Sequence, residues 1–139
     1  MKSLEMELTF DCPKIAPVDG ERLLLVSLNR SFDSTKAIGI YKRTDEYDAT
    51  RKYWRINIDR AKKVDYVLGV YKGIVCTVYK PSAWESYTHA DDGTPFKTRR
   101  YGFVGEKVPE SPYLNTSVAE YPFGRGGVIT YIPRDKAKW

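Results

Sequence analysis

Basic and aromatic side chains alternate in one short stretch of the chain, Arg51-Lys52-Tyr53-Trp54-Arg55. In an extended strand, Arg51, Tyr53 and Arg55 share one face, and Trp54 lies on the opposite face. Guanidinium groups bind phosphate and aromatic rings stack on planar bases, so this pattern is typical of a contact with nucleic acid or a nucleotide. A buried Trp54 beside solvated charges explains the pattern equally well.

A second indole, Trp84, follows Pro81 at the predicted end of a strand. A tryptophan in that place could form one wall of a cleft, or it could close the end of a barrel as a plug. Both alternatives stay open, because a tryptophan is large and often only partly buried.

Two further basic segments could meet phosphate groups. Lys97, Arg99 and Arg100 concentrate positive charge in one run, although a solvated start of a strand is the simpler explanation. Arg125 lies within Gly124-Arg125-Gly126-Gly127, whose glycines permit a backbone anion nest. The spacing does not match a phosphate-binding P-loop, and a plain turn before the last strand is the simpler explanation there.

No catalytic or metal-binding signature accompanies these residues. The sequence contains no GxSxG, HExxH or CxxC pattern, and its single histidine, His89, cannot build a multi-histidine metal site. We therefore predict no catalytic residue, no metal and no cofactor. An enzyme that uses Thr50, Lys97, Glu106 or Lys107 stays an open alternative, because nothing in the sequence fixes the geometry of those groups.

The charge balance bears on the kind of partner. The 139 residues include 23 Lys and Arg against 18 Asp and Glu, which gives a formal net charge of +5. A basic protein favours a polyanionic partner. No apolar run approaches the ~20 residues of a membrane span, and the first residues lack the apolar core of a signal peptide. We expect a cytoplasmic protein without membrane contact, and the sequence does not set its oligomeric state.

Elements of regular structure have to position these side chains, and the clearest of them is a hairpin. Two apolar runs, residues 65–71 and 74–79, flank the dipeptide Lys72-Gly73. Glycine takes a positive φ at little cost, so the dipeptide predicts a tight turn. Both faces of the runs are mostly apolar, which predicts a central hairpin buried on two sides.

The other predicted elements are short. Apolar patterns predict strands over residues 4–10, 22–28, 53–56, 99–108 and 128–132. Helical turns are predicted near residues 44–50 and after Asn57, whose side chain suits an N-cap. Residues 30–44 and 85–98 are predicted to be loops.

These elements predict one domain, residues 1–139, of α+β class. Its predicted architecture is a small, mostly antiparallel, partly closed β-barrel with one or two short helices. Residues 1–20 are predicted to be an N-terminal extension or an extra strand, and residues 134–139 a frayed tail.

The segment 47–84, followed by RRYGFVGEKV and the closing YLNTSV…GGVITYI, resembles a group of small bacterial and phage proteins that share an A-T-R-x-x-W-R motif. In that group a helix follows the motif, and adjacent strands around a glycine turn end in a tryptophan. The resemblance covers roughly residues 22–132 and implies a bacterial cell as the setting, with either the bacterium or a phage encoding the protein.

More loosely, and on architecture alone, the chain resembles the PUA-like superfamily with its ASCH and EVE branches. This resemblance implies a cleft between barrel and helices that binds RNA, or DNA carrying a modified base, often in a cage of aromatic side chains. It places Arg51, Trp54 and Trp84 at that cleft. The sequence lacks the ASCH Gly-x-Lys signature, so the enzymatic activity of some ASCH proteins is not implied.

Charge, aromatic residues and resemblance together predict a nucleic-acid-binding module without catalytic activity. The alternative is a pocket that binds or sequesters a nucleotide or another small anionic ligand, as a phage or defence protein would. In either case, Arg51 and at least one of Trp54 and Trp84 are predicted to border one pocket, because sequential strands are usually neighbours in space.

Overall fold

A computed structural model describes residues 12–29, 46–90, 92–123, 127–134 and 139, without the side chains of residues 46 and 48. The described chain contains five strands and two very short helices. In chain order these are β1 (Leu23–Ser27), α1 (Glu46–Arg51), α2 (Ile58–Ala61), β2 (Tyr66–Tyr71), β3 (Ile74–His89), β4 (Pro95–Lys107) and β5 (Ile129–Ile132). The strand predicted at residues 4–10 and the loop predicted at 30–44 lie outside the described residues.

The strands form one mixed sheet in the order β4-β3-β2-β1-β5, which curls into a half-barrel. Strand β1 pairs parallel to β2, and the other three pairings are antiparallel. The prediction of a mostly antiparallel, partly closed barrel with one or two short helices is therefore confirmed.

The predicted central hairpin is confirmed. Its turn consists of Lys72 and Gly73, which both have positive φ values, 50° and 82°. Two successive left-handed residues are the geometry that matches the right-handed twist of paired strands. Strand β2 lies in the middle of the sheet, and its residues 67–70 are buried.

The sheet is covered on both faces, which explains the unbroken apolar run in β1. Leu23 and Leu25 belong to a core cluster that includes Tyr113 and Val118 from the segment after β4. Leu24 and Val26 belong to a second cluster on the opposite face, together with Trp54 and Phe103. Because side chains alternate between the faces, a strand buried on both faces reads as a continuous hydrophobic run.

The capping prediction at Asn57 is also confirmed. Its side-chain oxygen accepts hydrogen bonds from the backbone amides of Asp59 and Arg60, at 3.0 and 3.2 Å. These bonds satisfy amides that the first turn of a helix leaves without a partner. Helix α2 is thereby fixed directly after Trp54–Asn57 and before β2.

The predicted loop at residues 85–98 is wrong. Strand β3 continues to His89 and β4 begins at Pro95, so the loop shrinks to a turn around Asp92 and Gly93. The Asp-Gly signal marks that turn, but the flanking polar residues are paired strand. Trp84 accordingly lies within β3 instead of at its end.

The strand predicted at residues 53–56 is reduced to a single bridge. The backbone of Trp54 exchanges hydrogen bonds with that of Tyr101, at 2.8 and 2.9 Å. Helices α1 and α2 flank this bridge closely in sequence, and they leave only a few residues of extended chain between them. The bridge covers the outer edge of β4 at one point.

Gly69 is a very tight position in the centre of the sheet. A Cβ atom there would lie 2.5 Å from Cγ2 of Thr77 and 2.9 Å from Cδ1 of Leu28. Both neighbours are fully buried, so neither can move aside easily. Only glycine fits between them.

We expect Gly69→Ala to lower the free energy of unfolding by about 1–3 kcal/mol, the usual cost of overpacking a core. Adding Thr77→Ser removes the closest methyl group and should restore part of that stability. Urea denaturation of the two single variants and the double variant would measure this. Strictly additive effects would contradict the proposed steric cause, since contacting residues couple by roughly 0.5 kcal/mol or more.

Candidate nucleic-acid interface

Arg51 lies in the last turn of α1 and reaches both strands of the long hairpin. Its Nε donates to the carbonyl oxygen of Phe103 at 3.0 Å, and its Nη2 donates to Glu85 Oε1 and to the hydroxyl oxygen of Tyr87, each at 2.8 Å. Only 13% of the side chain is exposed. The guanidinium group is therefore engaged within the protein and joins α1 to β3 and β4.

Trp54 is part of the core, which agrees with the prediction of a buried tryptophan and not with that of a ligand-stacking one. It is 8% exposed and packs in the same cluster as Leu24 and Val26. Its indole Nε1 donates to the carbonyl oxygen of Thr50 at 2.8 Å. The ring is thus fixed by both packing and a hydrogen bond, and it does not offer an open stacking face.

Trp84 is half-buried and packs edge-on against Phe103, with ring centroids 5.6 Å apart. It lines a hollow of about 260 Å³ together with Lys62, Val64 and the neighbouring residues 81–83. Arg51 does not line this hollow. The predicted convergence of Arg51 with an indole in one pocket is not found at Trp84.

The basic run lies on a two-stranded ribbon, which we call the arm (residues 87–89 paired with residues 95–100). The pairing of β2 with β3 ends at Tyr79, and from there β3 pairs with β4 out to His89 and Pro95. Lys97 and Arg99 are exposed and lie on the same face of β4. The arm therefore presents two cations side by side to solvent.

The opposite face of the arm packs against the body of the protein. Tyr53, which is 5% exposed, contacts Tyr87 and Phe96 with ring centroids 4.9 and 5.2 Å apart. The guanidinium carbon of Arg100 lies 4.8 Å from the Phe96 ring centroid, a cation–π geometry. Tyr53 is therefore an anchor that holds the arm.

Gly102 allows the close approach at the base of the arm. A Cβ at this position would lie 2.6 Å from the backbone oxygen of Arg51 and 2.8 Å from Cβ of Lys52. The segment around Tyr53 can lie flat against β4 because no side chain stands between them.

Arg55 is exposed and directly follows Trp54, whose backbone is bonded to Tyr101 of β4. It therefore lies beside the strand that carries the basic run. The structure thus gathers five of the predicted site residues at the arm and its base: Tyr53, Arg55, Lys97, Arg99 and Arg100. Arg125 lies outside the described residues.

Sequence reasoning missed a second cluster of guanidinium and aromatic groups. The guanidinium carbon of Arg60 lies 4.0 Å from the ring centroid of Tyr131 and 4.7 Å from that of Trp139. The two rings stand nearly perpendicular, at 78°. The signal in the sequence was Trp139 itself, a large aromatic residue within a polar segment that was predicted to fray. Trp139 is half-buried here.

Comparison with known proteins finds no match. No protein-family model matches the sequence, and neither the curated proteins nor the solved structures include a significant relative. Among the described residues, no helix is long and apolar enough to cross a membrane. The same residues contain no group of His, Cys, Asp or Glu side chains positioned to hold a metal ion. A function has to be inferred from the geometry of the chain itself.

The two arginines that flank Tyr53 should respond differently to truncation. Arg51→Ala removes bonds to a carbonyl, a carboxylate and a hydroxyl, and should lower the free energy of unfolding by about 2–3 kcal/mol. Arg55→Ala, the matched control on the surface, should change it by no more than about 0.5 kcal/mol. Chemical denaturation checks both. Equal effects would mean that Arg51 does not hold the hairpin.

The hydroxyl of Tyr87 provides a second test of this cluster. Burial raises the pKa of Tyr87 to about 12, and its hydrogen bond to Glu85 acts in the same direction, against the opposing effect of Arg51. Because the folded pKa lies above the ordinary value of about 10, Tyr87 contributes stability below pH ~10. This stability disappears as the pH rises through the folded pKa.

We expect the difference in phenolate absorbance between the wild type and Tyr87→Phe to titrate near pH 12. Glu85→Gln should shift this titration to lower pH, because it removes the negative charge and leaves a weaker acceptor. A difference titration centred near the ordinary pKa of about 10 would contradict the buried, bonded state of this hydroxyl.

Proposed function

We propose that the protein is a nucleic-acid-binding module in which the arm lies against the sugar–phosphate backbone. The observation that carries this proposal is the exposed pair Lys97 and Arg99 on one face of a two-stranded ribbon whose other face is anchored to the body. A two-stranded ribbon is narrow enough to enter the major groove of a duplex, and several DNA-binding proteins use one in this way.

The charge distribution along the arm supports a backbone contact. Asp92 lies at the turn, whereas Lys97, Arg99 and Arg100 lie in the strand. At the base, the carboxylate of Glu85 is bound to Arg51 and Tyr87. The β4 strand of the arm is therefore positive, and neutralising phosphates there releases counterions.

Rigidity also supports the proposal. An isolated hairpin is only marginally stable in water, and the anchors at Arg51 and Tyr53 compensate for this. A ribbon that is already fixed gives up little conformational entropy on binding, which favours affinity.

The alternative function, a nucleotide pocket bordered by Arg51 and by Trp54 or Trp84, has less support. Trp84 lines a hollow that Arg51 does not line. Trp54 is buried, and the guanidinium group of Arg51 is bonded to Phe103, Glu85 and Tyr87. Neither side chain presents the stacking face or the charge that such a pocket requires.

The proposal predicts that the affinity for nucleic acid falls with rising salt concentration and that the basic residues of the arm contribute to it. We expect the double variant Lys97→Ala/Arg99→Ala to bind a fluorescent duplex more weakly at low salt. The slope of log K against log salt should fall by about 0.9 for each phosphate that the variant no longer neutralises. Fluorescence anisotropy over a range of salt concentrations measures both quantities, with single-stranded DNA and RNA probes run in parallel to identify the preferred strand type.

Lys14→Ala is the matched control. It also removes an exposed positive charge, one that is paired with Glu120 at 2.9 Å. Lys14 lies beside Ser117, which pairs with Ile74 at the opposite end of β3. This control should leave the slope unchanged. Absence of binding to every probe at low salt, or an equal weakening in the control, would refute the arm as the interface.

A further inference from the structure

Arg60, Tyr131 and Trp139, which we call the Arg60 cluster, border a hollow that is separate from the arm. Arg60 extends from α2 towards β5, and its Nη2 donates to the carbonyl oxygens of Pro133 and Arg134, at 3.2 and 3.3 Å. The indole Nε1 of Trp139 donates to the same Pro133 oxygen at 2.7 Å. These bonds fix the guanidinium group in the corner between the two aromatic rings.

The hollow has about 430 Å³ of space, within the range of small-molecule sites. Its lining combines a flat aromatic wall with polar and charged groups: Asn57, Asp59, Arg60, Lys63, Tyr131 and Trp139. A second hollow of about 220 Å³ shares Arg60 and Tyr131 and adds Arg134. Together the two linings contain three basic residues, Arg60, Lys63 and Arg134, and one acidic residue, Asp59.

A purely structural cluster, which only attaches Trp139 to the sheet, explains these contacts incompletely. The hydroxyl of Tyr131 and the Nε of Arg60 are buried and have no hydrogen-bond partner among the described residues. Buried polar atoms in native proteins are nearly always bonded, since an unpaired one costs about 1–3 kcal/mol. Their presence beside the hollow is unfavourable in a cluster whose only role is packing.

The chemistry of the lining narrows the ligand class. Arg60 and Lys63 disfavour a cationic ligand, and a bare inorganic anion would leave the aromatic wall unused. A planar ring with an attached anionic group uses both features: the ring packs against the exposed part of the indole, and the anion meets the Lys63 ammonium group. Arg60 and Arg22 already lie over the Trp139 ring, 4.7 and 5.7 Å from its centroid, and add positive charge beside that contact.

We propose that this hollow binds a nucleotide unit, with the base against Trp139 and the phosphate bonded by the exposed ammonium group of Lys63. The fixed charge of Arg60 lies beside it and favours the anion without having to give up its own hydrogen bonds. The hollow would thus be a second contact for the strand bound by the arm, and in this respect it rests on the proposed function. Asn57, on the rim, follows Trp54 by three residues, so their Cα atoms are at most about 11 Å apart. Trp54 pairs with Tyr101 at the base of the arm, which brings the two contacts within reach of one strand.

Two adjacent lysines provide a matched test. Lys63 lines the proposed site, whereas Lys62 is exposed and lines the hollow at Trp84. We expect Lys63→Ala to weaken binding of adenosine monophosphate about tenfold, the effect of removing one charge-assisted bond. Lys62→Ala should change it by less than about twofold. Isothermal titration calorimetry measures this, and anisotropy with an oligonucleotide measures strand binding in the same variants.

Trp139→Phe and Trp139→Leu separate stacking from anchoring. Phenylalanine keeps a flat ring and should retain most of the affinity, whereas leucine should abolish it although its side chain is also apolar. Thermal denaturation reports whether either variant unfolds. If both do, the two lysine variants still decide the question, because both lysine side chains are on the surface.

Weakened binding of both the mononucleotide and the oligonucleotide by Lys63→Ala supports the site and its link to the arm. Weakened binding of the mononucleotide alone supports the site and identifies a free nucleotide as its ligand, which overturns the link. The site is overturned if the protein binds no mononucleotide and Lys63→Ala leaves oligonucleotide affinity unchanged. In that case, reduced oligonucleotide affinity of the Lys97→Ala/Arg99→Ala variant would still support the arm as the interface. If oligonucleotide binding is weakened by Lys63→Ala but not by Lys97→Ala/Arg99→Ala, the result supports the hollow as a binding site and refutes the arm as the interface.

Discussion

The geometry of the long hairpin depends on the guanidinium group of Arg51. This single group bonds a backbone carbonyl in β4 and two side chains in β3. It thereby fixes both strands relative to α1 in the part of the hairpin beyond Tyr79, where the pairing of β3 with β2 has ended. Placing a charge in a mostly buried site is costly unless its donors are satisfied. Here three acceptors meet it, and the Tyr87 hydroxyl in turn donates to Glu85 at 2.6 Å. The polar network therefore gives the arm a defined direction that apolar packing alone would not specify.

The half-barrel is stabilised by apolar packing, whereas the arm is fixed by a polar network. It is buried on both faces, and its cohesion comes from alternate side chains in two apolar clusters. Gly69 and Gly102 are two of the places where backbone and side chains approach too closely for a Cβ atom. The missing side chain at Gly69 leaves room for Thr77 and Leu28 in the centre of the sheet, and the missing side chain at Gly102 lets residues 51–54 lie against β4. Core and arm thus meet along one short segment of chain.

The features that were predicted correctly depend on local chemistry. The Lys72-Gly73 turn, the Asn57 cap and the apolar run of β1 each follow from residues that are neighbours in sequence. The errors concern structure that distant residues impose. The strands within 85–98 are polar on their own, and they are stabilised by each other and by Tyr53. Whether Trp54 faced the core or a cleft depended on α1 and β4, and the association of Trp139 with Arg60 depended on residues far apart in the chain.

The parallel pairing of β1 with β2 has a consequence for how the chain folds. Strands β2, β3 and β4 are consecutive and joined by tight turns, so their contacts close small loops quickly. Strand β1 has no such local partner: its ladders join Leu23 to Tyr66 on one side and to Ile132 on the other. Closing those loops carries a larger entropic cost, which raises the contact order of the whole domain. We expect the three-stranded meander to form early and the β1–β5 side of the sheet to be the slow, late step, with the arm in place before the half-barrel is complete.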